Sequence, residues 1–118
     1  MSSAAAPIIV VEDDPFPRIL QVILDPNASA ERRAAFADFM AHDLPDFAGW
    51  CERVRREAPG LYPADVRLVN SQAELRANLP EASAVVVESL QIGRAELAIA
   101  RRLKAVQKYG VIMRNIDI

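Results

Sequence analysis

The chain has 118 residues, of which 52% are hydrophobic, and a formal net charge of -2 at pH 7. These values predict one soluble globular domain that can bury a sizeable core. Its 14 basic residues are interleaved with 16 acidic ones, which argues against a nucleic-acid partner, because phosphate binding relies on clustered Lys and Arg.

The first apolar runs of the chain are short and predict strands. Ile8 to Val11 is predicted to be an edge strand, and the alternative is that residues 1–17 form a loosely packed N-terminal arm. The segment from Arg18 to Leu24 also predicts a strand, since it is a short apolar run closed by an Asp-Pro-Asn turn.

Helix signals follow. Ser29 is placed to cap a helix that carries Phe36 and Phe39 on its inner face. Pro45 is expected to end or kink this helix before a second piece that contains Trp50. The aromatic spacing predicts packing in the core, with an exposed patch for a partner as the alternative.

The second half of the chain alternates strand and helix patterns, which gives the order βαβαβαβ from Arg18 to the predicted strand that ends at Tyr109. This order predicts an α/β fold with a mainly parallel sheet and helices on both faces. Leu97, Ala100 and Leu103 are expected on the inner side of the last helix. The predicted elements are a strand at Val66–Val69, a helix at Gln72–Leu79 capped by Ser71, a strand at Ala84–Val87, a helix at Gly93–Leu103 and a strand at Ala105–Tyr109.

Acidic residues follow the first apolar run and allow two interpretations. Glu12, Asp13 and Asp14 resemble the metal-binding acidic group of a response-regulator receiver domain, with Asp43 as a candidate phosphoacceptor. The spacing is against this alternative, because a receiver places its phosphoacceptor at the end of the third strand, and the pattern puts Asp43 at the first long helix. The simpler interpretation is a solvated acidic turn.

The segment ASAVVVESLQIGRAELAIARRLKAVQKYGVIMRNIDI, from Ala82 to the end, carries a more specific signal. It resembles the D-isomer-specific 2-hydroxyacid dehydrogenases, whose pattern near its end is roughly LKxIQxxGxGxDNID. The resemblance implies that residues 18–118 form part of a flavodoxin-like, three-layer substrate-binding lobe, truncated before the nucleotide-binding domain. It also implies NAD or NADP as cofactor of the full-length enzyme, a small 2-hydroxy or 2-oxo acid as substrate, and a homodimer.

The resemblance further implies two substrate loops at the carboxyl ends of strands. The first contains Glu88, Ser89 and Leu90; the second contains Gly110, Val111 and Ile112. Their backbone N–H groups could hold a substrate carboxylate, and the alternative is plain turn chemistry.

The sequence departs from the family pattern within these loops. Ile112 replaces the second glycine, Arg114 stands where the family commonly has aspartate, and a carboxylate at Glu88 would repel an anionic substrate unless it points away or pairs with a cation.

No catalytic, metal or cofactor-binding residue is assigned within the chain. The histidine, carboxylate and arginine of the resembled enzymes come from the nucleotide-binding domain or just after it, so His42 is expected to be a surface residue. The sequence has no GxGxxG, and therefore lacks a loop for the cofactor pyrophosphate.

Cys51 is the single cysteine and is interpreted as structural. It excludes an internal disulfide and suits a reducing compartment, for which the cytoplasm is the default. No apolar run reaches the roughly 18 residues of a membrane span, and the first residues lack the basic region of a signal peptide.

Overall fold

A computed structural model describes residues 6–15 and 17–108. The predictions made for Tyr109, for the loop of Gly110, Val111 and Ile112, and for Arg114 lie outside the described residues. In chain order, the elements are β1 (Ile8–Glu12), α1 (Ile19–Leu24), α2 (Ala30–Met40), α3 (Phe47–Glu57), β2 (Asp65–Val69), α4 (Gln72–Asn78), a 3-10 turn (Leu79–Glu81), β3 (Ala84–Val87), α5 (Arg94–Ile99) and β4 (Ala105–Lys108).

The four strands form one parallel sheet with the order β2-β1-β3-β4. This confirms the predicted α/β class and is compatible with a flavodoxin-like three-layer fold, for which strand order 2-1-3-4 is typical. The prediction that Ile8–Val11 is an edge strand is wrong, because β1 pairs with β2 on one side and with β3 on the other. Val10 and Val11 are fully buried.

Two apolar clusters cover the two faces of the sheet. Ile9, Val66 and Val86 face the helices α1 and α3, while Val10 and Val85 face α4, the 3-10 turn and Ile92. Since side chains alternate between the faces of a strand, the continuous apolar runs of β1 and β3 supply both clusters.

The segment Arg18–Leu24 was predicted to be a strand and forms helix α1 instead. Periodicity does not separate a short buried strand from a short buried helix, and the contacts of α1 with α3 and β2 come from parts of the chain distant in sequence. Arg55 of α3 donates from Nε to the carbonyl oxygen of Ile23 at 2.5 Å and from Nη2 to that of Val22 at 3.0 Å. The last turn of α1 thereby obtains donors for carbonyl groups that lack partners within the helix.

The predicted helix caps are confirmed. The Ser29 hydroxyl accepts the N–H of Arg32 at 3.1 Å, and the Ser71 hydroxyl accepts the N–H of Glu74 at 3.1 Å. In both cases a serine oxygen binds an amide of the first turn that has no partner within the helix.

Two packing predictions are wrong in part. Phe39 is 68% exposed, whereas Phe36 packs against the cluster on the α1 face. Leu97 is 43% exposed, whereas Ala100 and Leu103 pack against the other cluster. Helix α5 ends at Ile99, earlier than predicted.

Candidate functional site

The loop of Glu88, Ser89 and Leu90, called the β3 loop below, begins at the carboxyl end of strand β3. The strand order places this end between the carboxyl ends of β1 and β4. Strand β2 lies next to β1 on one side and β3 lies next to β1 on the other, so the direction in which strands are added to the sheet reverses at β1. Such a switch point leaves a crevice at the carboxyl ends of the strands, where open α/β sheets bind ligands.

Glu12, the last residue of β1, binds the β3 loop with both carboxylate oxygens. Its Oε1 accepts three backbone N–H groups, from Glu88 at 2.9 Å, Ser89 at 2.8 Å and Leu90 at 2.8 Å. Its Oε2 accepts the Ser89 hydroxyl at 2.6 Å. One carboxylate therefore receives the three amide donors that the sequence analysis considered for a substrate carboxylate.

The position of Glu12 contradicts its interpretation as part of a solvated acidic turn. Glu12 is buried and is only 8% exposed. Burial raises the pKa of Glu12, but the Ser89 hydroxyl and the amides of Leu90, Glu88 and Ser89 together outweigh burial and hold the pKa below its ordinary value. Glu12 is thus ionised at neutral pH, although none of the described residues forms an ion pair with it.

The Ser89 hydroxyl has a defined direction in this arrangement. An ionised carboxylate only accepts hydrogen bonds, so the Ser89 O–H must donate to Glu12. The lone pairs of Ser89 Oγ remain for other partners, and Ser89 is an exposed residue. A ligand at this edge would meet an acceptor at Ser89 instead of a donor.

The segment after the β3 loop is bonded to helix α4. The Gln91 N–H donates to Gln72 Oε1 at 3.0 Å, and Gln72 Nε2 donates to the Gln91 carbonyl at 2.8 Å. The Gly93 N–H donates to Glu96 Oε1 at 2.8 Å, and Arg76 of α4 donates to Glu96 Oε2 at 2.6 Å. These bonds fix both ends of the short segment from Gln91 to Gly93, which joins the β3 loop to α5.

Glu96 is the second buried carboxylate near the loop and is 4% exposed. The Gly93 amide lowers the pKa of Glu96 against the effect of burial, and Arg76 lowers it further. Glu96 and Arg76 were not predicted from the sequence, and Glu12 was considered only as a receiver metal ligand or as part of an acidic turn, not as a partner of the β3 loop. A signal was present for Glu12, because an acidic residue at the end of an apolar strand lies at the edge where ligands bind.

The structure brings Glu88, Ser89 and Leu90 together around Glu12. Their N–H groups donate to Glu12, whether the loop binds a substrate or only forms a turn.

The receiver alternative finds no support in the described geometry. Glu12 is bonded to the β3 loop, Asp13 pairs with Arg18, and Asp43 lies in the turn after α2. Within residues 6–15 and 17–108, no group of three or more His, Cys, Asp or Glu residues could hold a metal ion. The acidic metal site that a receiver needs is absent from this part of the chain.

Two other residues from the sequence analysis lie away from the β3 loop. His42 is exposed in the turn that follows α2. Cys51 is 3% exposed within the cluster on the α1 face. Burial raises the pKa of the Cys51 thiol, although Arg55 and Arg33 partly oppose this, so the thiol is protonated at neutral pH and packs as an apolar group.

An apolar groove of about 590 Å³ lies between α1, α2 and the β3–β4 side of the sheet. Phe36, Phe39, Val86 and Gln107 are among its lining residues. The groove shares no residue with the β3 loop, so it does not enlarge the candidate site.

Comparisons with models of known protein families, with curated proteins and with solved structures found no match. Among the described residues, none of the helices is both long enough and apolar enough to cross a membrane.

The two buried carboxylates predict a pH dependence of stability. Glu12 and Glu96 have native pKa values below the ordinary value of 4.5. On acidification the unfolded chain therefore binds these protons before the native state does, so their stabilisation is complete above about pH 4.5 and is lost as the pH falls through the native values. We expect Glu12→Gln to be less stable than wild type at pH 7 and the difference to shrink below about pH 4.5.

Urea denaturation at a series of pH values measures this difference. A difference between wild type and Glu12→Gln that stayed constant from neutral to acidic pH would contradict a lowered native pKa at Glu12. Glu81→Gln is a suitable control, because Glu81 is exposed.

Proposed function

We propose that this chain forms the substrate-binding lobe of an NAD(P)-dependent oxidoreductase that acts on the CH–OH group of a D-2-hydroxy acid. The observation that carries the proposal is the parallel pairing of β3 with β4, which puts Val87 beside Lys108. Strands β3 and β4 therefore end side by side at the carboxyl edge of the sheet. The β3 loop follows the first of these strands in the sequence and residues 110–112 follow the second, and these are the two segments in which the sequence resembles the dehydrogenase substrate loops.

In this proposal the lobe binds a small 2-hydroxy or 2-oxo acid. Ser89 and its neighbours Glu88 and Leu90 supply one loop, and residues 110–112 supply the other. Acid-base catalysis and hydride transfer belong to residues of a nucleotide-binding domain. The full-length enzyme is proposed to be a cytoplasmic homodimer.

The residues of this chain do not fit NAD or NADP. The described β3–α5 junction has a glycine, Gly93, but its N–H donates to Glu96 and α5 has only six residues. A dinucleotide pyrophosphate needs free amides at the start of a longer helix after a GxGxxG turn. The cofactor is therefore proposed to bind outside this chain.

The proposal predicts different behaviour for the chain and for the complete reading frame. The 118-residue chain should give no saturable change when NADH fluorescence is followed in a titration. The protein made from the complete reading frame should oxidise NADH or NADPH in the presence of one or more members of a panel of 2-oxo acids. Micromolar affinity of the 118-residue chain for NADH, or inactivity of the complete protein on the whole panel with both cofactors, would contradict the proposal.

A further inference from the structure

We propose that Glu12 is a built-in carboxylate ligand of the β3 loop, which takes the amide groups that a substrate carboxylate would need and acts as the positioning residue of the loop. The inference deepens the proposed function, and rests on it for the statement that the β3 loop belongs to a substrate site. The contact between Glu12 and the loop does not depend on that function.

Three amide N–H groups converge on a single oxygen of Glu12 within 2.9 Å, and a hydroxyl binds the other oxygen. Successive amides that point at one oxygen form the type of concave anion site that proteins use for carboxylates and phosphates. A substrate carboxylate could bind these amides only after Glu12 had left them.

Displacement of Glu12 from the β3 loop would be costly. Glu12 is 8% exposed and has no cationic partner among the described residues. Within residues 6–15 and 17–108, the amide and hydroxyl dipoles of the β3 loop are therefore its main stabilisation. Removing them would leave a buried, unpaired charge, and a second carboxylate at the same place would be repelled by the first.

With its amides bound to Glu12, the β3 loop can contact a substrate through the Ser89 Oγ lone pairs and through its carbonyl groups. These groups accept hydrogen bonds, and so they suit a hydroxyl group of a ligand. The carboxylate of the proposed substrate is bound by other groups of the site.

Acetate is the probe that tests the inference, because it has a carboxylate and no hydroxyl. In nuclear magnetic resonance spectra of the 15N-labelled 118-residue chain, the amide signals of Glu88, Ser89 and Leu90 should not respond to acetate in wild type. In Glu12→Ala the amide protons of these three residues should exchange with water about 100-fold faster than in wild type. Acetate should shift them saturably, with an affinity at least about tenfold higher than for wild type, and should slow their exchange.

Asp25→Ala is the matched control. Asp25 is also a buried carboxylate, 7% exposed, but it accepts the N–H groups of Val66 at 3.0 Å and Asn27 at 2.9 Å. Val66 is near the start of β2, at the opposite edge of the sheet. In Asp25→Ala, the β3-loop amides should stay protected and should not respond to acetate.

Glu12→Gln covers the case in which Glu12→Ala does not fold. A glutamine carbonyl oxygen can still accept the three amides, so their protection should remain within about tenfold of wild type. The inference is overturned if acetate shifts the β3-loop amides of wild type as strongly as those of Glu12→Ala. It is also overturned if the amides of folded Glu12→Ala stay as protected as in wild type, or if Glu12→Gln loses their protection completely.

These measurements use neither a nicotinamide cofactor nor turnover. A positive acetate result together with an inactive complete protein would refute the proposed dehydrogenase function and leave the role of Glu12 intact. The reverse combination would retain the function and remove Glu12 as the positioning residue.

Discussion

Replacement of Glu12 by alanine is expected to lower the free energy of unfolding by about 3 kcal/mol at pH 7. The substitution removes an acceptor that binds three amides and one hydroxyl, and it leaves these donors at the end of the central strands. A buried donor without a partner costs about 1–3 kcal/mol, but the sum is reduced because Ser89 is exposed and water can reach part of the loop. Urea denaturation followed by circular dichroism measures the change.

Asp13→Ala is the control for this expectation. Asp13 is the next residue of the chain and its carboxylate pairs with Arg18, but both side chains are partly exposed, at 27% and 36%. Such a pair contributes less than about 1 kcal/mol. If Glu12→Ala cost no more than Asp13→Ala, the bonds between Glu12 and the β3 loop would contribute little to stability.

Local signals were sufficient to predict much of the fold. β3 has the predicted bounds, Ala84–Val87, because three consecutive β-branched residues favour a strand buried on both faces. Ser29 and Ser71 were found as caps because a serine before a helical pattern acts on amides only a few residues away. These features depend only on residues a few positions apart, so the local sequence pattern is enough to predict them.

The errors concern features that depend on distant residues. The segment Arg18–Leu24 forms a helix that packs against α3 and β2, both more than twenty residues later in the chain, and its local pattern does not contain these contacts. The central place of β1 depends on two partners, β2 and β3, which the run Ile8–Val11 does not reveal.

The candidate site was predicted in part. The location of the β3 loop came from the resemblance and from the rule that ligands bind at the carboxyl ends of parallel strands. The contact between Glu12 and this loop was not predicted, because the two are 76 to 78 positions apart in the chain. Composition and periodicity carry no information on such a contact, and an acidic residue before a proline is more often a solvated turn.

Leu75→Ala is expected to lower the free energy of unfolding by about 3 kcal/mol, within the range of 2–5 kcal/mol that buried Leu→Ala substitutions show. Leu75 is fully buried and belongs to the cluster that contains Val10, Val69 and Leu79. The loss has two parts. The first is the hydrophobic free energy that burial of the removed groups contributed, and the second is the cost of the cavity that remains where the sheet and α4 do not close on it.

Leu97→Ala removes the same atoms from a side chain that is 43% exposed, and it should change the free energy by less than about 1 kcal/mol. Thermal and urea denaturation of both variants measure the difference. An equal loss in the two variants would contradict the packing of α4 against β1 and β2. Because α4 also carries Gln72, which binds Gln91 next to the β3 loop, a stable packing of Leu75 is a condition for the loop geometry described above.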